Sequence, residues 1–349
     1  MVSESVSWET AKSSRHLRMV APGLLERIIS PAILLAKTSL RLGDTDMKRL
    51  SSLYSSVKAG DIKLYRFLTK LKVLSTGEDV EVIAILRING LSRGIWMGKI
   101  PIIEFDNDRK TIIEPSSIKG LELPEYCVIL FYDSVIKKLK QDGMLEKVYE
   151  IVSVLAPSEI YKLKQGNRFL TVTCPTGCGA PLAGGLLEEL IALRCRKFVV
   201  CGSAGVLKSE LCRGTVVVAN AAVRDEGTSY HYMPPSRTVE ADPAVVQKLV
   251  KVLENHGIKY EVGKTWTMDA FYRETKGKIA KRKEEGCVTV EMECSALLAI
   301  AEYRNVMLGQ YLLAGDYVGG ELWDQRLEGN LLSSHQKMFW LSVEACLTL

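Results

Sequence analysis

The sequence predicts an α/β fold in which helices flank a central, mostly parallel, twisted sheet. From Lys99 onward, short β-branched or aliphatic segments alternate with amphipathic ones, and this alternation is typical of βαβ units. The segments FVVC (198–201) and YLLA (311–314) are apolar throughout, as expected for parallel strands that are buried on both faces. These residues therefore favour a sheet with helices on both sides.

The strands and helices of this fold can be placed in chain order. The predicted strands are KIPIIEF (99–105), PEYCVILFYD (124–133), NRFLTVTC (167–174), KFVVCG (197–202), GTVVVANAAV (214–223), VTV (288–290) and MLGQYLLAGD (307–316). The predicted helices are SVIKKLKQDGMLEKVYEI (134–151), PLAGGLLEELIALR (181–194), PAVVQKLVKVLENHG (243–257), RETKGKIAKRKEEG (273–286) and CSALLAIAEYR (294–304). Amphipathic helices of this kind cover a sheet with their apolar face.

The N-terminal part of the chain has a different texture. Residues 1–95 contain scattered serines, few clear strands and irregular helical segments such as DIKLYRFLTKLKVL (61–74). We therefore predict an N-terminal extension of unknown role over residues 1–95 and an α/β domain over residues 96–349. A separate small domain, a family-specific addition and a poorly ordered leader all fit the extension.

Composition and charge argue against several classes of protein. The net charge is +5, and the 46 basic residues are spread among 41 acidic ones, which argues against nucleic acid as a partner. The nine cysteines include no CxxC pair, so we predict no metal site and reduced thiols in the cytoplasm. No apolar stretch reaches the roughly 18 residues of a membrane span, so we predict no membrane association.

Four segments place glycine or acidic residues directly after a predicted strand, where ligands bind in open α/β sheets. They are TCPTGCGAPLAGG (173–185), CGSAGVL (201–207), VEME (290–293) and LLAGDYVGG (312–320). Glycines at such positions leave backbone amides free to bind an anion. Each segment on its own also fits a plain turn or a helix cap, so the residue types leave both interpretations open.

In this order, the four segments resemble the nucleoside phosphorylase family, which includes uridine phosphorylase, bacterial purine nucleoside phosphorylase and methylthioadenosine nucleosidase. The resemblance starts near Pro101 and is carried by GSAG (202–205), VVVANAAVRDEGTSYHY (216–232) and VEMECSALL (290–298). It implies a nucleoside phosphorylase-like catalytic domain that binds a small-molecule nucleoside and assembles as a homo-oligomer. It also implies inorganic phosphate as co-substrate and no metal or organic cofactor.

The resemblance assigns the sugar end of the site. Glu293 would accept hydrogen bonds from the ribose hydroxyls, Met292 would pack on the sugar, and Glu291 would line the same pocket. The residues themselves suggest a further contact, because Gly202 and Ser203 follow a buried strand and Ser203 can offer a hydroxyl and an amide to an oxyanion or to the sugar.

The resemblance also assigns the base end. Phe271 would stack on the base, and Asp316 would donate a proton to the departing base. Uridine phosphorylases continue after this aromatic residue with a glutamine and an arginine that read uracil, whereas this chain has Arg273, Glu274 and Thr275. A purine or modified purine is therefore favoured.

Because of two departures from the family pattern, the sequence leaves open whether phosphate or water receives the sugar. The phosphorylases bind phosphate with a Gly-Asp-Arg loop after the first strand and with an arginine just before the GSAG segment. This chain keeps Asp133 without the glycine and arginine, and Val200 stands in the second position. Arg168 or Arg224 would have to compensate from elsewhere. Phosphorolysis, hydrolysis by water and non-catalytic nucleoside binding all fit this pattern.

Overall fold

The computed structural model describes residues 4–9, 66–73, 79–85, 101–115, 121–152, 156–326 and 331–349. The chain divides into two compact units, Met1–Pro101 and Ile102–Leu349. The described part of the first unit is an antiparallel sheet of β1 (Glu4–Glu9), β2 (Arg66–Val73) and β3 (Asp79–Ile85), in that order. A helix was predicted where β2 lies, and that prediction is wrong. Lysines 70 and 72 alternate with apolar residues, and this period of two is that of a strand.

The second unit is built on a ten-stranded sheet within the described residues. Its strands are β4 (Tyr126–Leu130), β5 (Leu145–Ile151), β6 (Ser158–Gln165), β7 (Arg168–Thr173), β8 (Lys197–Val206), β9 (Val216–Asp225), β10 (Thr238–Glu240), β11 (Tyr260–Met268), β12 (Cys287–Glu291) and β13 (Met307–Tyr317). The order across the sheet is β10-β9-β11-β12-β8-β4-β7-β6-β5, and β13 pairs with both β8 and β9.

Parallel and antiparallel ladders occupy different parts of this sheet. Parallel pairing joins β7, β4, β8 and β13 in one group and β9, β11 and β12 in another. The two groups meet through antiparallel ladders between β8 and β12 and between β9 and β13. The strands β5, β6 and β7 form an antiparallel edge. The predicted α/β class is therefore confirmed, with more antiparallel pairing than the sequence alternation indicates.

Helices cover both faces of the sheet, as predicted. They are α1 (Asp133–Gln141), α2 (Ala180–Ala192), α3 (Pro243–Asn255), α4 (Lys276–Glu284), α5 (Cys294–Arg304) and α6 (Leu331–Thr348). Val200 packs in the core beneath α2 and α5, whereas its neighbours Val199 and Cys201 pack in the core beneath α1, α3 and α6. This alternation buries β8 on both sides. No helix of the described residues is long and apolar enough to cross a membrane.

Two further predicted elements are wrong. The segment 99–105 contains a short 3-10 helix, Pro101–Ile103, instead of a strand, and Pro101 has no amide hydrogen for a ladder. The segment predicted as one helix over 134–151 is α1 followed by β5. Helix α1 ends there because Gly143 adopts a φ of +68°, a left-handed conformation that terminates helices.

Candidate active site

The register of the sheet brings three predicted site segments to one segment of β8. Val290 of β12 lies opposite Gly205 on one side of β8, and Tyr317 of β13 lies opposite Val206 on the other. Strand β11 ends beside β12, with Thr267 opposite Glu291, and leads directly to Phe271. The VEME segment, Asp316 and Phe271 therefore approach the same part of the sheet. The GSAG residues, predicted as a turn, instead continue β8 through Val206.

Glu291 ends β12 and caps helix α5. One carboxylate oxygen accepts the backbone amides of Glu293 and Cys294, at 2.8 Å and 2.7 Å. The other oxygen accepts the Thr267 hydroxyl at 2.5 Å. Burial, and then the charge of Glu293, raise the pKa of the Glu291 carboxyl. Glu291 is thus a buried acceptor for the first amides of α5. The first amides of a helix have no partner within the helix itself.

Glu293 is the carboxylate that joins two of the predicted segments. Its side chain is only 8% exposed, and one of its oxygens accepts the backbone amide of Gly179 at 2.5 Å. Burial raises the pKa of the Glu293 carboxyl, and the Gly179 amide opposes this shift. Met292 between the two glutamates is half-buried. A fixed and largely desolvated carboxylate of this kind is suited to accept hydrogen bonds from sugar hydroxyls.

Gly179 is held in a conformation that few other residues adopt. It precedes α2 with a φ of +110°, where a side chain is strained by about 1–2 kcal/mol.

We expect Gly179→Ala to shift the amide away from Glu293 and to lower kcat/KM for a nucleoside by about tenfold, since a strain of about 1.4 kcal/mol corresponds to a tenfold change in rate. The matched control is Gly185→Ala in α2, where an added Cβ meets nothing within 4 Å. Steady-state kinetics on both variants test this, and equal activities would contradict it.

A buried polar network supports the start of α5 and was not predicted. Glu226, which is 5% exposed, accepts the Ser295 hydroxyl at 2.9 Å and the Ser229 amide at 3.0 Å. The Ser295 amide in turn donates to the Thr267 hydroxyl at 2.9 Å. The network links the segment after β9 to β11 and to the start of α5. Glu226 lies in the VRDEGTS motif (223–229), which was the available signal in the sequence.

Neither arginine suggested as a phosphate ligand is available for that role. Arg224 is 4% exposed, and its guanidinium donates to the Ser229 and Ser236 hydroxyls and to the Pro234 carbonyl. Arg168 begins β7, at the end opposite the predicted site, and donates to the Leu347 carbonyl at 2.9 Å. Both guanidiniums therefore serve the scaffold.

The GSAG part of β8 has an apolar neighbour. A Cβ on Gly202 would lie 3.5 Å from the Phe131 side chain, so this ring packs against the Gly202 backbone. Ser203 is exposed, and Val200 is completely buried. Within the described part of the chain, no arginine or lysine side chain hydrogen-bonds to Gly202 or Ser203.

The base end combines exposed aromatic rings with half-buried acids. Phe271 is 53% exposed in a 3-10 turn after β11, and its ring lies 4.2 Å from that of Tyr272. Asp316 lies within β13, so the alternative that it caps a following helix is not realised. Its carboxylate accepts the Trp323 indole at 2.6 Å. Glu274, to which the sequence assigned no role, is half-buried nearby.

The comparisons with known proteins give the family of this chain. A family model described as the phosphorylase superfamily matches residues 126–336. The chain belongs to the phosphorylase superfamily. Within the described residues, no cluster of histidine, cysteine, aspartate or glutamate could hold a metal ion.

Among the superfamily relatives, a guanosine phosphorylase from Halorubrum lacusprofundi is 28% identical over 188 residues, or 54% of this chain and 72% of that protein. A uridine phosphorylase from Salmonella typhimurium is 30% identical over 152 residues, or 40% of this chain and 60% of that protein. The match to the uridine phosphorylase thus spans less than two thirds of its length.

Solved superfamily structures confirm the predicted fold. The uridine phosphorylase from Vibrio fischeri has a TM-score of 0.55 at 20% identity and covers 68% of this chain and 95% of its own. Purine nucleoside phosphorylase from Toxoplasma gondii also has a TM-score of 0.55, at 22% identity, and the match covers 66% of this chain and 97% of that one. An AMP nucleosidase from Bacteroides thetaiotaomicron has a TM-score of 0.51 at 19% identity, with 65% and 88% covered.

Proposed function

We propose that this chain cleaves the N-glycosidic bond of a nucleoside by phosphorolysis, which yields free base and ribose 1-phosphate. The observation that carries the proposal is the buried Glu293 carboxylate, which accepts the Gly179 amide. It follows β12, and β12 pairs with the same end of β8 that pairs with β13, the strand of Asp316. A ribose that hydrogen-bonds to Glu293 through its hydroxyls would direct its base toward Phe271 and Asp316. The named functions of the relatives support this reaction class.

Each predicted residue has a role in this reaction. Glu293 orients the ribose, Met292 packs on the sugar, and Glu291 keeps α5 and the Glu293 backbone in place. Positive charge grows on the ribose as the bond to the base stretches, and an acceptor held beneath C1′ attacks without a loss of translational entropy. The exposed Ser203 hydroxyl and the nearby backbone are the groups that would contact this acceptor.

The base end favours a purine or modified purine. Phe271 offers an exposed ring face for stacking, and Asp316 supplies a carboxyl group to the departing base. An acid near the base can protonate a ring nitrogen of the departing purine as the glycosidic bond breaks. One relative is named as a guanosine phosphorylase and another as a uridine phosphorylase, so the choice of a purine rests on Arg273, Glu274 and Thr275, which replace the residues that read uracil in uridine phosphorylases.

Hydrolysis is the second candidate, because of the surroundings of Gly202 and Ser203. The Phe131 ring packs on Gly202, and Val200 stands where the phosphorylases have an arginine. Phosphate bound there would lack the bidentate charge-assisted bonds that a guanidinium provides. Water needs no such partner, and one protein with this fold is named as a nucleosidase. Binding without catalysis is the remaining alternative.

The test of this proposal is base release from a panel of purine and pyrimidine nucleosides, with and without inorganic phosphate. Release that requires phosphate and yields ribose 1-phosphate supports phosphorolysis. Release of free ribose without phosphate identifies a hydrolase. Binding without release of any base would contradict both enzymatic proposals and favour a nucleoside-binding protein.

Asp316→Asn is expected to slow base release by about 10²-fold, the lower range for loss of a general acid, while nucleoside affinity changes little. The Trp323 indole can still donate to the amide oxygen of the variant, so the local structure is retained. The matched control is Asp324→Asn on the facing strand of the same hairpin, where the carboxylate accepts the Arg326 backbone amide and the asparagine oxygen can still do so. Base release unchanged in Asp316→Asn would show that the assigned acid role is wrong.

A homo-oligomer in the cytoplasm fits the same observations. The large apolar side chains Phe271, Tyr272, Leu322 and Trp323 remain exposed around the base end, and subunit contacts often cover such surfaces. All nine cysteines are free thiols, which agrees with a reducing compartment.

A further inference from the structure

A continuous series of buried hydrogen bonds joins Glu226 to the backbone of Glu293. The Ser295 hydroxyl donates to the Glu226 carboxylate at 2.9 Å, and the Ser295 amide donates to the Thr267 hydroxyl, also at 2.9 Å. The Thr267 hydroxyl then donates to one oxygen of Glu291 at 2.5 Å, and the other oxygen of Glu291 accepts the Glu293 amide at 2.8 Å. The position of the Glu293 backbone therefore depends on a residue as distant in the chain as Glu226.

Glu226 is also held by the segment that follows β9. Its carboxylate accepts the Ser229 amide at 3.0 Å, and the Ser229 hydroxyl accepts the Arg224 guanidinium at 2.9 Å. Arg224 also donates to the Pro234 carbonyl at 2.8 Å. Because Glu226 is buried, its carboxylate cannot change its rotamer without leaving these donors unsatisfied, which is costly for buried groups.

Ser295 and Glu293 lie at the start of the same helix. Helix α5 begins at Cys294, so Ser295 is in its first turn and Glu293 directly precedes it. A movement of this turn would displace the Glu293 carboxylate from the Gly179 amide, which it meets at 2.5 Å. Hydrogen bonds weaken with small changes in distance and angle, and a misplacement of about 1 Å can reduce activity by about 10²-fold.

We propose that Glu226 is a positioning residue for ribose recognition. Through Ser295, it holds the first turn of α5 where Glu293 can accept hydrogen bonds from the ribose hydroxyls. The inference rests on the proposed function, because it takes Glu293 as the carboxylate that binds the ribose. Glu226 does not contact the substrate in this arrangement, since both of its oxygens already accept protein donors.

The test measures how strongly the chain prefers a ligand with ribose hydroxyls. The two ligands are a purine C-nucleoside, whose carbon–carbon bond to the base is not cleaved, and its 2′,3′-dideoxy counterpart. Isothermal titration calorimetry gives both dissociation constants, and their ratio is the preference. Partial unfolding affects the binding of both ligands equally, so this ratio does not respond to a merely structural role.

The native chain should prefer the C-nucleoside by about 10²-fold, as expected for charge-assisted hydrogen bonds to the ribose. In Glu226→Ala, we expect this preference to fall to about tenfold or less. Ser295→Ala removes only the hydroxyl that contacts Glu226 and should cause a similar loss. Because Glu226 acts through Ser295, the double variant should lose no more than either single variant.

Two further variants serve as controls. Glu188→Ala removes a carboxylate that is buried to a similar degree and pairs with Arg304 at the other end of α5, at 2.7 Å. This variant should keep the native preference. Glu226→Gln retains an oxygen that can accept the Ser295 hydroxyl, so its preference should stay within about threefold of the native value.

An unchanged preference in both Glu226→Ala and Ser295→Ala would overturn the inference while leaving the proposed function intact. Losses that add in the double variant would overturn it too, because Glu226 would then not act through Ser295. An equal loss in Glu188→Ala would assign the effect to a general loosening of α5 and would also overturn it. A native chain without any preference for the C-nucleoside would reject the ribose-binding role of Glu293 and this inference with it.

Discussion

Glu293→Ala is expected to lower kcat/KM for a nucleoside by at least about 10²-fold. The buried carboxylate would bind the ribose through charge-assisted hydrogen bonds, each worth about 1.5–3 kcal/mol, and two of them account for this loss. The side chain is 8% exposed and held by the Gly179 amide, so no neighbouring group can replace it by a small movement. Steady-state kinetics at saturating acceptor measure the effect.

The control for this prediction lies on the same helix. Glu302→Ala removes an exposed carboxylate near the other end of α5 and should leave kcat/KM within about twofold, as is usual for surface changes. A Glu293→Ala enzyme that retains native kcat/KM would mean that the ribose binds elsewhere.

Glu291→Ala is expected to destabilise the fold by about 3 kcal/mol, because it leaves buried donors without an acceptor. Those donors are the amides of Glu293 and Cys294 and the hydroxyl of Thr267. Urea denaturation near pH ~6 measures the free energy of unfolding. Glu291→Gln keeps an acceptor oxygen for the amides and should lose less than half as much. Equal stabilities of the native and Glu291→Ala chains would show that the cap contributes nothing.

The same carboxyl predicts a dependence of stability on pH. Burial raises the pKa of Glu291 in the folded chain, so the folded state binds its proton more tightly than the unfolded chain does. This contribution to stability is fully present below the unfolded pKa of ~4.3 and is lost as the pH rises through the folded pKa. Glu291→Gln lacks this group, so its free energy of unfolding should fall less than the native value over that range. A parallel decline in both chains would contradict the assignment.

Local patterns in the sequence are sufficient to predict much of the central fold. Strands β4, β8, β9 and β13 each contain a continuous apolar segment, and several of the helices between them carry amphipathic patterns. Strand β6 (SEIYKLKQ) and strand β11 (YEVGKTWTM) were missed because lysines and other polar residues interrupt their apolar residues. Strand β5 was merged with α1 because LEKVYEI also fits a helical spacing, and only the left-handed Gly143 separates the two elements.

The candidate site could likewise be predicted only in part from the sequence. The motifs predicted which segments would meet, since Glu293 and Phe271 follow strands and Asp316 lies near the end of one. The partners of these residues are distant in the chain: Gly179 lies 114 residues before Glu293, and Glu226 lies 69 residues before Ser295. No local pattern reports such contacts, because they arise from the register of the sheet.

The measurement that tests the central claim most directly is a comparison of dissociation constants for a nucleoside and its 2′,3′-dideoxy counterpart, with the native chain and with Glu293→Ala. If Glu293 binds the ribose hydroxyls, the native chain should prefer the nucleoside by about 10²-fold, or about 2.7 kcal/mol, and Glu293→Ala should bind both equally. The coupling between the two changes isolates this one interaction. A Glu293→Ala chain that still prefers the nucleoside by the native factor would contradict the account.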